Sequence, residues 1–319
     1  MSEMERLKIL FLGTPDFALF SLRALCDAKY DLVGVVTQPD KPKGRGYELL
    51  PPPVKVFANE QGISVYQPAT LRDEAFFDLL KRLDPNLIVV VAYGKILPQN
   101  VLDYPKYGCI NVHGSLLPEY RGAAPMQRAI IDGKKKTGVT TMKMEAGLDT
   151  GEMYEKAELF IGEDDDFEVV HDGLGALGAR LLLSTLQKLE AGNLVGTPQD
   201  DSLASYAKKI EKEDCLIDFS RPARELHNLI RGLSPIPLAF THLPDGKLFK
   251  IVAARVSEKN LSGAPGEVLA TDGGVITVGC GEGALDLLSV IPEGKKKMRA
   301  ADFINGRGIH VGERLRSHD

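Results

Sequence analysis

Apolar positions along the chain alternate between two periods. Residues 7–12 (Leu-Lys-Ile-Leu-Phe-Leu) form a nearly continuous apolar run that stops at Gly13, as a buried strand does. Ala18, Leu22, Leu25 and Cys26 then recur at helical spacing, with Thr14 placed to cap the helix and Pro15 suited to its first turn. Residues 32–37 read as a second strand and 51–61 as a short helix. Residues 71–83 read as a longer helix with Leu71, Ala75, Leu79 and Leu83 on one side. Residues 87–91 (Leu-Ile-Val-Val-Val) are the most strand-like run, and 109–112 and 139–144 are further strands. Val170, Leu174, Leu177 and Leu181 share one face of a helix that closes near Leu189. Strands alternating with helices imply crossover units and a parallel sheet, whose ligand site lies beyond the carboxyl ends of the strands.

The texture changes after a polar stretch from Gly192 to Ser205 that reads as a linker. One helix is expected over 223–233. Short β-type runs follow at 239–243, 249–256, 267–270, 275–278 and 284–290, separated by Gly, Pro and Asp, the pattern of a small barrel or antiparallel sheet.

Composition narrows the class. The 319 residues are 44% hydrophobic and 26% charged, enough to bury a core without staples. The net charge of −5 excludes a uniformly basic nucleic-acid coat. Residues 1–205 carry a net −7 (22 Lys and Arg, 29 Asp and Glu), against +2 for the rest (17 and 15), so the later part is the side suited to a polyanion. The four cysteines, Cys26, Cys109, Cys215 and Cys280, form no C-x-x-C pair, and the histidines show no metal-ligand spacing, so neither a metal nor a disulfide framework is expected. The polar N-terminus does not read as a signal peptide, and no run approaches a membrane span; a cytoplasmic address with no membrane partner is expected.

Candidate chemistry lies where the sheet rule points. Asn111 and His113 are two apart and share one face of a strand, followed by Gly114, Ser115, Leu116, Leu117 and Pro118. An isolated Asn-x-His is usually a strand end reaching solvent; the Gly bend and apolar run after it suit a pocket wall better. Asp149, between Gly147 and Gly151, ordinarily marks a turn, but beside a histidine it can orient and polarise the imidazole. Amide, imidazole and carboxylate together suit acyl transfer to an amine: Asn111 stabilises an oxyanion, His113 moves protons and Asp149 supports His113. An α-amino group with a pKa near 8 is already partly neutral at pH 7, so no activated serine or cysteine is required.

These segments resemble the folate-dependent formyltransferases. The likeness spans nearly the whole chain, including Phe11 to Ala18, Thr37 to Gly46, Val90 to Gly94, Gly108 to Pro118, Tyr120 to Pro125, Gly147 to Gly151 and Gly294 to Met298. It implies an α/β fold: a Rossmann-like, mostly parallel sheet domain over residues 1–191, a linker over 192–209, and a smaller OB-like β-barrel domain over 210–319 that contacts tRNA. It implies Asn111, His113 and Asp149 as catalytic residues. It implies 10-formyltetrahydrofolate as cosubstrate, held by Ser115, Leu116, Leu117 and Pro118 with Val91, Ala92, Tyr93 and Gly94 alongside. Methionyl-initiator tRNA is the implied acceptor and a monomer the expected state.

Lys41, Lys43 and Arg45, interleaved with Pro and Gly, follow the second strand; they read as a solvated loop or as a grip on tRNA phosphates, and Arg45 matches the family's loop arginine. Lys295, Lys296 and Lys297 have the same two readings. The chain departs from the family at Glu119, where a basic residue is usual, and at Ile236, where tryptophan is usual; it has no tryptophan. Three other readings stay open at this point: a formyltransferase acting on an amino-sugar nucleotide, a non-catalytic RNA-binding protein, and, on fold analogy alone, a nicotinamide-dependent oxidoreductase, although G-x-G-x-x-G is absent.

Overall fold

A computed structural model describes residues 6–43 and 48–316. The chain divides into two compact units, one of residues 1–125, 137–159 and 171–207, the other of 126–136, 160–170 and 208–319. The second unit thus takes two segments from the earlier part of the chain as well as everything after Ala207.

The first unit is organised by β1 (Lys8–Gly13), β2 (Asp31–Val36), the hairpin β3 (Lys41–Lys43) and β4 (Glu48–Leu50), β5 (Val65–Tyr66), β6 (Leu87–Val91), β7 (Cys109–His113), β8 (Arg121–Gly122), β9 (Lys136–Lys143) and β10 (Met153–Phe160). Seven of these make one sheet in the order β10-β9-β7-β6-β1-β2-β5. The pairs from β5 through β7 are parallel, and β9 runs antiparallel to β7. The central β6 is buried at all five residues, which explains why its sequence is apolar without alternation. Its helices are α1 (Asp16–Asp27), α2 (Pro53–Glu60), α3 (Glu74–Leu83) and α4 (Gln99–Leu102); α5 (Pro125–Ile131) belongs almost wholly to the second unit, and α6 (Phe167–Glu190) starts there and continues in the first. The mostly parallel α/β arrangement expected from the alternation is the one that forms.

Two local expectations change. Thr14 does not cap α1; Pro15 occupies the N-cap without a side-chain bond. The Thr14 hydroxyl donates instead to the Tyr93 carbonyl (3.3 Å), which also accepts from Gln38 Nε2 (2.9 Å), tying together the ends of β1, β2 and β6. The third helix begins at Glu74, because the Asp73 carboxylate caps it by accepting from the Phe76 N–H (2.9 Å). It therefore buries Phe76 and Leu80, while Leu71 is buried ahead of the helix and Ala75 is exposed. The charged edge strand β10 had no apolar signal; its charges suit the outside of a sheet.

The stretch 192–207 is not featureless. It contributes β11 (Tyr206–Ala207), which pairs in parallel with β8, and a Thr197 bridge to Met153. The second unit carries α7 (Ala223–Gly232) and the strands β12 (Ala239–His242), β13 (Leu248–Val256), β14 (Val268–Ala270), β15 (Ile276–Gly279), β16 (Ala284–Pro292) and β17 (Met298–Arg299), with α8 (Ala300–Asn305) after them. The strands form a curled antiparallel sheet in the order β12-β13-β16-β15-β14, with β17 on β16. Leu226, Leu229 and Ile230 of α7 join the core with Ile251, Ile276, Leu285 and Leu287; each such side chain contributes about 1.5–3 kcal/mol by leaving water.

Candidate active site

β7 lies between β6 and β9, with Asn111 opposite Val90 and Met142, and His113 opposite Thr140. Alternation along this strand puts Asn111 and His113 on one face, and both are buried (9% and 6% exposed). No described residue bonds the Asn111 carboxamide, which leaves its N–H donors available.

His113 is held from the other side of its ring than the sequence suggests. Its Nε2 lies 3.0 Å from the Tyr120 carbonyl. A carbonyl only accepts, so Nε2 carries the hydrogen and Nδ1 is the nitrogen left to exchange a proton. Asp149 Oδ2 is 3.7 Å from Nδ1, close enough for charge to act and longer than a hydrogen bond. The same carboxylate oxygen accepts from the Gly122 N–H at 2.8 Å. The structure therefore brings the sequence-derived trio together within the first unit.

Backbone shape helps to place these groups. Ala92, Tyr120 and Asp149 all have left-handed φ, at 47°, 58° and 53°. For residues with a Cβ this costs about 1–3 kcal/mol each, sustained only where the surroundings over-determine it. Gly151 allows the Asp149 loop to approach β9: a Cβ there would collide with the Lys143 carbonyl oxygen.

The segment after β7 is fixed by internal bonds. Ser115 Oγ donates to the Glu119 carbonyl (2.6 Å), Thr140 Oγ1 donates to the Ser115 carbonyl (2.7 Å) and accepts from the Leu117 N–H (3.1 Å). Ser115 and Leu117 are wholly buried, so within this segment accessible side-chain surface belongs to Leu116 and Pro118. The Val91–Gly94 segment is split in the same way: Val91 and Tyr93 face inward, and Ala92 and Gly94 are exposed.

Sequence reasoning missed a cavity of about 410 Å³ lined by Gln99, Leu102, Asp103, Gly108, Cys109 and residues 143–147. It shares β7 with Asn111 and His113 and is walled by the loop that leads to Asp149. The Cys109 thiol there is pushed up to about 12 by burial and, secondarily, by the Asp103 charge, so it remains a neutral lining group. No local pattern announces this cavity, because α4 is only four residues long and most of the remaining wall is loop, with one residue each from β7 and β9.

Of the basic residues, Lys41 is exposed at the start of the β3–β4 hairpin, Lys43 ends β3, and Arg45 lies outside the described residues. Lys295, Lys296 and Lys297 are exposed between β16 and β17, in the second unit. Among the described residues, no group of three or more His, Cys, Asp or Glu side chains could hold a metal ion. Likewise, none of their helices is long and apolar enough to cross a membrane.

Residues 7–186 match the formyl transferase family model, and residues 209–308 match that of the formyl transferase C-terminal domain. The chain is 49% identical over 316 residues to the methionyl-tRNA formyltransferase of Citrifermentans bemidjiense, covering 99% of this chain and 98% of that one. It is 47% identical over 313 residues to that of Bacillus licheniformis, covering 98% of each. Among solved structures, HypX from Aquifex aeolicus in complex with tetrahydrofolic acid has a TM-score of 0.65 at 19% identity, over 96% of this chain and 48% of that one. Methionyl-tRNA formyltransferase from Clostridium thermocellum has a TM-score of 0.54 at 19% identity, over 79% and 93%.

Proposed function

The chain belongs to the formyl transferase family, among the methionyl-tRNA formyltransferases, and from that premise we propose that it transfers the formyl group of 10-formyltetrahydrofolate to the free amino group of methionyl-initiator tRNA. The observation that carries this reading is the meeting of the Asn111 carboxamide, the His113 imidazole and the Asp149 carboxylate along one face of β7, the strand that also contributes Cys109 to a ligand-sized cavity.

The amine nitrogen attacks the formyl carbon, and the carbonyl electrons move onto oxygen. Asn111 donates its N–H to that oxyanion, an interaction that contributes about 10²–10³ in rate. His113 Nδ1 takes the proton released by the amine and delivers it to N10 of the folate as the carbon–N10 bond breaks, leaving tetrahydrofolate and the formylated amine. The Tyr120 carbonyl keeps a hydrogen on Nε2 throughout, and Asp149 at 3.7 Å stabilises the imidazolium between the two proton movements.

The pterin end of the folate fits the cavity walled by Leu102, Cys109 and the 143–147 loop, with Ala92, Gly94, Leu116 and Pro118 as further contacts. Lys41, Lys43 and Arg45, with Lys295, Lys296 and Lys297, supply cations for tRNA phosphates, whose binding then weakens as salt rises. The deciding experiment supplies 10-formyltetrahydrofolate with either methionyl-initiator tRNA or a 4-amino sugar nucleotide. Formylation of the tRNA is expected. Formylation of the sugar alone would replace this reading, and tRNA binding with no turnover on either acceptor would make the chain a binding protein.

A further inference from the structure

The segment 199–207, which composition presents as the tail of a linker, touches both halves of the acid–base pair. Tyr120, whose carbonyl holds His113 Nε2, donates its own N–H to Ser205 Oγ (2.9 Å). The Arg121 N–H donates to the Ser205 carbonyl (2.8 Å), and the Ala123 N–H to the Ala207 carbonyl (2.9 Å). Between these two residues, the Gly122 N–H holds the Asp149 carboxylate. The peptide that fixes His113 and the peptide that fixes Asp149 are thus adjacent, and both are stitched to the same strap.

A second path runs through side chains. Gln199 Nε2 donates to the carbonyls of Asp149 (2.7 Å) and Gly151 (2.8 Å), at the left-handed turn that presents the carboxylate. Gln199 Oε1 accepts from Arg121 Nε (3.0 Å) and from its terminal nitrogen (2.8 Å), which also donates to Asp201 Oδ1 (2.7 Å). Arg121 is 2% exposed, and Asp201 is the carboxylate beside its buried charge. Burying an arginine is costly, and a rim carboxylate contributes little by itself. The arrangement instead aims both Gln199 donors at a loop whose backbone is strained.

We infer that Gln199, locked by Arg121, is a positioning residue that sets the distance between Asp149 and His113, with the 199–207 strap as the rigid frame. This rests on the reading of Asp149 as the charge partner of His113. The roles divide by atom: the N–H donors of Gln199 hold the loop, and its oxygen only fixes the rotamer through Arg121.

The test is a double-mutant cycle on the full chain, measuring kcat and both KM values, with heat denaturation to establish the folded fraction. Gln199→Ala is expected to lower kcat about ten- to a hundredfold with both KM values nearly unchanged. Gln199→Glu keeps an acceptor for Arg121 but loses both donors, so it should be equally slow. In Asp149→Asn, adding Gln199→Ala should cost nothing more, because Gln199 acts through Asp149. The NMR chemical shifts of the His113 ring should move in Gln199→Ala toward their values in Asp149→Asn. A full-rate Gln199→Glu, or losses that multiply in the double variant, would overturn the inference. So would a rate unchanged per folded molecule. A slow Asp149→Asn beside a full-rate Gln199→Ala sinks this inference alone, whereas a full-rate Asp149→Asn sinks the acid–base reading and the inference together.

Discussion

The two units each contain a buried histidine beside an aspartate, and the pairs have opposite surroundings. His113 in the first unit is 6% exposed, with Asp149 3.7 Å from Nδ1. His227 in the second is 3% exposed, with Asp164 Oδ1 3.5 Å from Nε2. Asp149 is itself largely buried, bonded by a backbone N–H and anchored through its loop. The Asp164 side chain is 82% exposed, and His227 sits near Arg231 and Arg224. Arg231 in turn donates to the carbonyls of Gly162 and Asp165 and to Asn228, holding a loop of its own unit. Geometry separates the two: the His113 pair shares a strand face with the Asn111 carboxamide, whereas the His227 pair sits among arginines behind an exposed carboxylate.

The sharpest way to break that contrast is to remove each imidazole. His113→Ala should lower kcat about 10²–10⁴-fold, with a smaller effect on the unfolding midpoint. His227→Ala should leave the rate per folded molecule unchanged and act on stability alone. Equal rate losses in both would erase the distinction.

Asn111→Ala should cost about 10²–10³ in kcat, with folate affinity little changed, since the oxyanion exists only along the reaction path. A loss confined to KM would reassign Asn111 to ground-state binding. Gly151→Ala should cost less, about tenfold in kcat: the new Cβ meets the Lys143 carbonyl, and the loop carrying Asp149 must shift. Transient kinetics showing normal formyl transfer would mean the loop tolerates the methyl group without moving the carboxylate.

The smallest expected effect is on acid stability. Burial, reinforced by Arg231 and Arg224, lowers the pKa of His227 below its ordinary 6.5, against the weaker pull of Asp164. The unfolded chain then binds the proton more readily than the folded one. This contribution to stability is intact above about pH 6.5 and declines as pH falls from there toward the lowered folded value. Urea midpoints at pH 7.5 and 5.5 should separate more for the parent than for His227→Gln; identical separations would remove His227 from the acid response.

Much of the scaffold was legible because its signals are local. The unbroken apolar run of β6 marked a central strand, and the two-residue spacing of Asn111 and His113 put both on one face. The amphipathic α7 was expected within a residue of its observed bounds. Legibility failed where an element is short or polar: the charged edge strand β10, the four-residue α4, and the strap whose Gly, Pro and Asp content resembles a linker. It failed too at Thr14, whose hydroxyl had two partners to choose between, the backbone of its own helix and the distant Tyr93 carbonyl.

By itself the sequence determined the period of each element, and with it the identity and facing of the groups able to do chemistry. Only the tertiary structure decided which nitrogen of His113 is held, which backbone N–H meets Asp149, and that Gln199 closes the loop from 50 residues away. The reason is physical. Periodicity reports on neighbours within a turn or a pleat, whereas a hydrogen bond between distant segments depends on where the whole chain has travelled, and many paths share the same local pattern.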